Sequence, residues 1–271
     1  MKRIESLNMN RLTKQEIPKA PTKIKHYLTT ALIVLLIGWS AYQTESSFID
    51  FVEGFPNMFD LLVQMYPPSW SYFDDIVPAM LDTFRMAVIG TTMGALLAVP
   101  FALLCASNIA SSNWIYYPFR FILNLIRTIP ELLLAAIFVA IFGLGPLPGI
   151  FALAVFSMGI IAKLTYEAME SIDKGPLEAM TAVGANKIQW IVYSVVPQVS
   201  PYFVSFVLYT FEINIRAAAI LGLVGAGGIG EYYDKTLGFL EYDKVSTIII
   251  FTLMVVLLID YISTKLREKL L

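Results

Sequence analysis

Long apolar runs separated by short polar interruptions set the rhythm of this chain. Six of them, centred on 28–43, 77–105, 119–143, 149–167, 189–223 and 245–264, read as membrane-spanning helices, each needing about 20 mostly apolar residues to cross a hydrocarbon core of about 30 Å. The pattern predicts an all-α, polytopic membrane protein with about six transmembrane helices. The first run has only a short fully apolar stretch, Ala31 to Trp39, and follows basic residues as a cleaved signal peptide would. No clear small-x-small cleavage site follows, so a retained helix is the better expectation. The run 77–105 is too long for one perpendicular span; with Gly90, Gly94 and Pro100 beside Thr91 and Thr92, it reads as a long, tilted packing helix. Gly143-Leu-Gly145-Pro146-Leu-Pro148-Gly149 reads as a tight external turn between the third and fourth spans.

Composition agrees with the pattern. Hydrophobic residues make up 57% of the chain and charged ones 15%, and the mean hydropathy is +0.69, which excludes an ordinary soluble globular protein. The net charge of −2 hides a segregation. The tail 1–26 carries Lys2, Arg3, Arg11, Lys14, Lys19, Lys23 and Lys25 against Glu5 and Glu16. The stretch 44–75 carries Glu45, Asp50, Glu53, Asp60, Asp74 and Asp75 and no Lys or Arg. Cytoplasmic loops collect Lys and Arg, so the tail is expected inside and the acidic stretch outside. A basic tail can also mark nucleic-acid binding, but this one lacks interleaved aromatics and leads directly into an apolar run. Lys163, Lys174 and Lys187 then fall in or beside an inner loop, and Lys265, Arg267 and Lys269 place the far terminus in the cytoplasm as well. The expected organisation is a basic cytoplasmic tail (1–26), a first transmembrane helix with an acidic external loop (27–75), and a membrane domain (76–268) with an inner loop at 167–188. One cysteine, Cys105, and one histidine, His26, leave no disulfide, thiolate metal site or histidine-based catalytic cluster.

Three segments stand out for chemistry. The inner loop carries Glu178-Ala179-Met180-Thr181-Ala182-Val183-Gly184. Its small residues admit a close partner backbone and Glu178 offers a charged, hydrogen-bonding end; an ordinary amphipathic surface helix is the plainer reading. Gly225-Ala-Gly227-Gly228-Ile-Gly230 formally matches a dinucleotide fingerprint, but it lies between two spans with no room for a βαβ unit. A Gly-rich break at the outer end of a pore helix fits better. Glu212, Asn214 and Arg216 lie inside the fifth span, and Arg127 and Glu131 flank Pro130 in the third. Charges at membrane depth pair or face water, and four-residue spacing lets Glu212 meet Arg216. Arg127 and Glu131 share that spacing across a proline that disturbs the turn. Such pairs either hold the bundle together or border a translocation path.

The spacing Glu-Ala-x-x-x-x-Gly, followed thirteen positions later by Pro197, resembles the coupling motif of ABC importer permeases. Arg127-Thr-Ile-Pro-Glu131, Lys163-Leu-Thr-Tyr-Glu167, Glu170-Ser-Ile-Asp173-Lys-Gly175-Pro176, Glu212-x-Asn214-x-Arg216 and Leu221-Gly-Leu-Val-Gly-Ala-Gly-Gly-Ile-Gly230 resemble the phosphonate-type branch of that family, over about residues 77–264. The resemblance implies a type I importer fold in the plasma (inner) membrane, working as a homodimer. It makes Glu178, Ala179, Gly184, Ala185 and Pro197 the ATPase-coupling segment, and implies that ATP and Mg are held by separate ATPase subunits. This chain has no G-x-x-x-x-G-K-[ST] loop, is no enzyme, and holds no cofactor of its own. An extracytoplasmic phosphonate-binding protein would deliver the cargo. Phosphite, hypophosphite and phosphate are the alternative cargoes within the same class. An ion-coupled secondary transporter should show inverted repeats of interrupted spans, which are not evident, and a membrane enzyme needs a cluster of catalytic groups at one face that one His and one Cys do not supply.

Overall fold

The computed structural model describes residues 23–44, 48–110 and 112–270; most of the basic tail, residues 1–22, and Glu45 lie outside them. The chain divides after Asp60 into two units. The first contains α1 (Ile24–Gln43) and most of α2 (Phe48–Gln64). α1 is apolar on every side, with Leu32, Leu35, Leu36 and Trp39 all exposed, the surface expected of a helix solvated by lipid. α2 alternates an apolar set with Asp50, Glu53 and Asp60, and Phe55 and Phe59 on its apolar set meet edge to face at 5.9 Å.

The second unit is a helical bundle of α3 (Phe73–Cys105), α4 (Asn113–Thr128), α5 (Glu131–Phe142), α6 (Pro146–Glu170), α7 (Lys174–Ala182), α8 (Lys187–Trp190), α9 (Val196–Leu221), α10 (Ile229–Gly238) and α11 (Tyr242–Glu268). Its centre is the close pairing of α3 with α6. A Cβ on Gly94 would stand 2.4 Å from the Cβ of Ser157 and 2.7 Å from the carbonyl oxygen of Ala154, and one on Gly90 would stand 2.6 Å from the Cβ of Leu153. Lipid tails are as apolar as leucine, so helices in a bilayer gain by van der Waals contact, and small residues make that contact close. The buried alanines 87, 95, 98 and 102 extend the same face along α3.

Among the described residues, five helical runs are long and apolar enough to span a bilayer: Ile24–Gln43, Trp70–Cys105, Pro146–Glu170, Lys187–Val224 and Tyr242–Glu268. The expected span at 119–143 takes another form. It is two helices, α4 and α5, meeting at 89°. Pro130 lacks an N–H and pushes the residue before it out of the helical region, and Ile129 is accordingly extended, with φ −82° and ψ 121°. Counted as one broken crossing, the pair brings the total to six. The span beginning at Lys187 carries a π-turn at Ile191–Val195 before α9.

Candidate functional site

At one end of the bundle the chain leaves α6, forms α7, and returns into α9. Asp173 opens α7 by accepting a hydrogen bond from the Gly175 N–H on its Oδ1 (3.1 Å). Pro176 follows within the first turn, where no intrahelical N–H is required. Gly184 closes the helix at φ +75°, the left-handed geometry that lets the Ala185 N–H reach the Met180 carbonyl at 3.1 Å. Asn186 and Gln189 then cap α8 reciprocally, each side chain accepting from the other's backbone N–H (2.9 and 3.0 Å). Three side chains tie α7 to the body: Trp190 Nε1 donates to the Leu177 carbonyl (3.1 Å), Ser194 Oγ to the Pro176 carbonyl (3.0 Å), and Gln198 accepts from the Asp173 N–H (3.0 Å). These anchors take the inner side of α7 and leave Glu178, Ala179, Thr181, Ala182 and Gly184 exposed. Val183 and Ile188 add uncovered apolar surface beside them. Pro197 sits exposed in the first turn of α9, immediately after the π-turn.

Behind α7 lies a cluster that the motif does not contain. Glu170 Oε1, at the end of α6, accepts from the Ser107 N–H (2.7 Å), the Ser107 hydroxyl, and Arg120 Nη2 (2.6 Å). Arg120 also donates through Nε to the Cys105 carbonyl (2.9 Å), and its guanidinium stands 4.3 Å from the ring centres of both Tyr116 and Tyr166. Asn108 donates to the Met169 carbonyl (2.6 Å). The ends of α3 and α6 and the body of α4 are therefore clamped together next to the exposed helix. Sequence spacing could not reveal this, since Arg120 and Glu170 are 50 positions apart; an arginine inside an otherwise apolar helix was the available signal.

The charges within the fifth span form a second cluster. Glu212 Oε1 accepts from Arg216 Nη2 (2.8 Å), as the four-residue spacing predicts, and Oε2 accepts from Arg267 Nη2 of α11 (3.0 Å). Insertion scales put the cost of each charge near a bilayer centre at about 2.5–3.5 kcal/mol, which pairing offsets. Asn214 is fully buried between α3, α6 and α9, donating to Thr91 Oγ1 (2.7 Å) and Ser157 Oγ (2.6 Å). Arg127 and Glu131 do not share a helix face, because the bend at Pro130 puts them on different helices. Each sits where the helix dipole favours it, Arg127 in the last turn of α4 and Glu131 in the first of α5. The Arg127 stem runs over Gly159 of α6, whose added Cβ would stand 2.8 Å from Arg127 Cγ.

At the opposite end, the Gly-rich segment is a packed turn. Gly225, Gly227 and Gly228 all have positive φ. The Gly225 carbonyl accepts from the Gly145 N–H (2.9 Å), and the Ile229 N–H donates to Thr83 Oγ1 of α3 (2.8 Å). Gly222 and Gly230 let the two arms touch, since a Cβ on Gly222 would stand 2.4 Å from the Glu231 nitrogen. Close approach explains these glycines without a dinucleotide. In α10 beyond them, Glu231 accepts from Lys235 (2.7 Å), and this bond pushes the exposed ammonium above its ordinary pKa.

Helices of bilayer length around a small-residue seam, with a polar helix exposed at one end, define a multi-pass membrane protein. The chain belongs to the family described as binding-protein-dependent transport system inner membrane component, which it matches over residues 98–270. It is 36% identical to a putative phosphite transport system permease protein, HtxC, of Stutzerimonas stutzeri, over 91% of this chain and 88% of that one. It is 39% identical to a putative cryptic phosphonate transport system permease protein, PhnE2, of Escherichia coli strain K12, over 43% of this chain and 96% of that one. The fold is shared with the inward-facing MetNI methionine ABC transporter, at a TM-score of 0.66 and 22% identity, over 75% of this chain and 99% of that one. The protein is thus a type I ABC importer permease of the inner membrane, and a transport subunit whose ATPase is a separate chain.

Proposed function

We propose that this chain is the permease of an ATP-driven importer of phosphonates, receiving its cargo from an extracytoplasmic binding protein and working as a homodimer with both termini in the cytoplasm. The observation that carries the coupling role is α7 itself. It is anchored on one side by Trp190, Ser194 and Gln198 and leaves Glu178, Ala179 and Gly184 open on the other. A pair of ATPase subunits, holding ATP and Mg, docks on two such helices, one from each permease copy. Closure of the ATPase dimer pushes α7, and the clamp at Glu170 and Arg120 carries the push into α3, α4 and α6, so that the bundle rocks between inward- and outward-open states. Glu212, Asn214 and Arg216, with Arg127, Pro130 and Glu131 at the bend, border the path or its gate, and the glycines 225–230 form its external turn. Lys and Arg at both ends support the cytoplasmic placement of the termini.

Phosphite is the second reading, favoured by the near full-length likeness to HtxC. Uptake of radiolabelled 2-aminoethylphosphonate in cells lacking this chain, and in complemented cells, separates the two when phosphite is added as competitor. Chain-dependent uptake untouched by phosphite is the expected result. Strong competition establishes a broader phosphorus-oxyanion importer, and absence of chain-dependent label overturns the phosphonate cargo.

A further inference from the structure

Among the charged groups at membrane depth, Arg216 is half-exposed beside a buried partner. Its level is fixed by its neighbour Asn214, which touches Thr91 and Ser157, each near the middle of its own helix. Arg216 has 49% of its side chain exposed, whereas its partner Glu212 has only 8%. Only one guanidinium nitrogen of Arg216, Nη2, meets Glu212, and only one carboxylate oxygen receives it. An arginine has five N–H donors in a planar fork, so most of this fork points away from the pair. Lipid cannot solvate a half-exposed guanidinium at that depth, so this side of α9 must meet water, a polar protein surface or an anion.

The other oxygen of Glu212 is held independently. Arg267 reaches it at 3.0 Å with a more sheltered side chain, 26% exposed, steadied by Thr264 Oγ1 (3.2 Å) and lying 5.7 Å from the centre of the Tyr209 ring. Asp260, also on α11, stands beside Glu212. If Arg216 alone neutralised Glu212, turning it away would strand a buried carboxylate, which is strongly unfavourable. With Arg267 in place, Glu212 keeps a counter-ion when Arg216 lets go.

We propose that Arg216 is a transient binding site for the oxyanion cargo, parked on Glu212 between transport cycles, with Arg267 holding Glu212 neutralised while Arg216 engages the anion. The proposal rests on the phosphorus-oxyanion reading above. A tetrahedral phosphorus oxyanion presents two or more oxygens to a guanidinium fork, a better match than the single contact Glu212 makes. The exchange is reversible because Glu212 competes for the same donors, and a site on a transport path needs that weakness. Tyr209 and Tyr202, seven and fourteen positions earlier and likewise exposed, continue the face toward the α7 end of the bundle with phenolic hydroxyls at roughly two-turn intervals.

The test is ATP-driven uptake of 2-aminoethylphosphonate and of phosphite by proteoliposomes holding the complete transporter, with ATP hydrolysis measured in parallel. Arg216→Gln is expected to lower uptake of the anion at subsaturating concentration by about tenfold or more, while hydrolysis stimulated by the loaded binding protein persists. Arg216→Lys, which keeps the charge without the fork, is expected to recover only part of that loss. Uptake by Arg216→Gln within about twofold of the unaltered protein overturns the site. An Arg216→Lys variant as impaired as Arg216→Gln supports recognition by the fork rather than by charge alone. Failure of the unaltered protein to carry either anion overturns the oxyanion reading, and the site with it; uptake by the unaltered protein that Arg216→Gln leaves intact overturns the site alone.

Discussion

Glu170 gathers on one oxygen the Ser107 backbone N–H, the Ser107 hydroxyl and the Arg120 guanidinium. Hydrogen bonds to a charged group are worth about 1.5–3 kcal/mol each when a partner is removed, so Glu170→Gln is expected to lower the melting temperature of the detergent-solubilised chain by several degrees. Because the clamp adjoins α7, the same variant is expected to hydrolyse more ATP per molecule transported, a ratio that a purely local loss of stability leaves unchanged. The sequence spacing revealed the Glu212–Arg216 pair, since four residues on a helix form one face. It could not reveal Arg120 with Glu170, or Arg267 with Glu212, separated by 50 and 55 positions; only the antiparallel packing of whole helices brings those together.

At the scale of elements, hydropathy located the spanning helices because membrane crossing imposes a length, but not α2, which fills the stretch read as an acidic external loop. It did not show the break within 119–143, where apolar composition continues across Pro130 although a straight helix cannot. The paired glycines of α3 were legible as packing residues, and their partners on α6 were not. Gly94→Leu is expected to force α3 and α6 apart and cost about 1–3 kcal/mol or more, as overpacking does. Gly38→Leu in α1, where an added Cβ meets nothing within 4 Å, is the matched control and is expected to be near neutral. Thermal unfolding of the two variants in the same detergent checks the contrast.

At the scale of the whole molecule, a membrane bundle with an exposed polar helix at one end is a machine whose motor lies elsewhere. The segment proposed for coupling drew notice in sequence for its small residues at fixed positions; what holds it rigid, Trp190 and Ser194 on the carbonyls of α7, was not legible there. The most direct test introduces bulk at Gly184, where an added Cβ would meet nothing within this chain. Gly184→Asn shares the positive-φ requirement, which Asn tolerates better than most residues, and serves as the control for backbone strain. Co-purification with the ATPase subunits and phosphonate uptake should both survive in Gly184→Asn and both be lost in Gly184→Arg, with membrane insertion unchanged in each. Normal uptake by Gly184→Arg would contradict the claim that α7 is the surface through which this permease is driven.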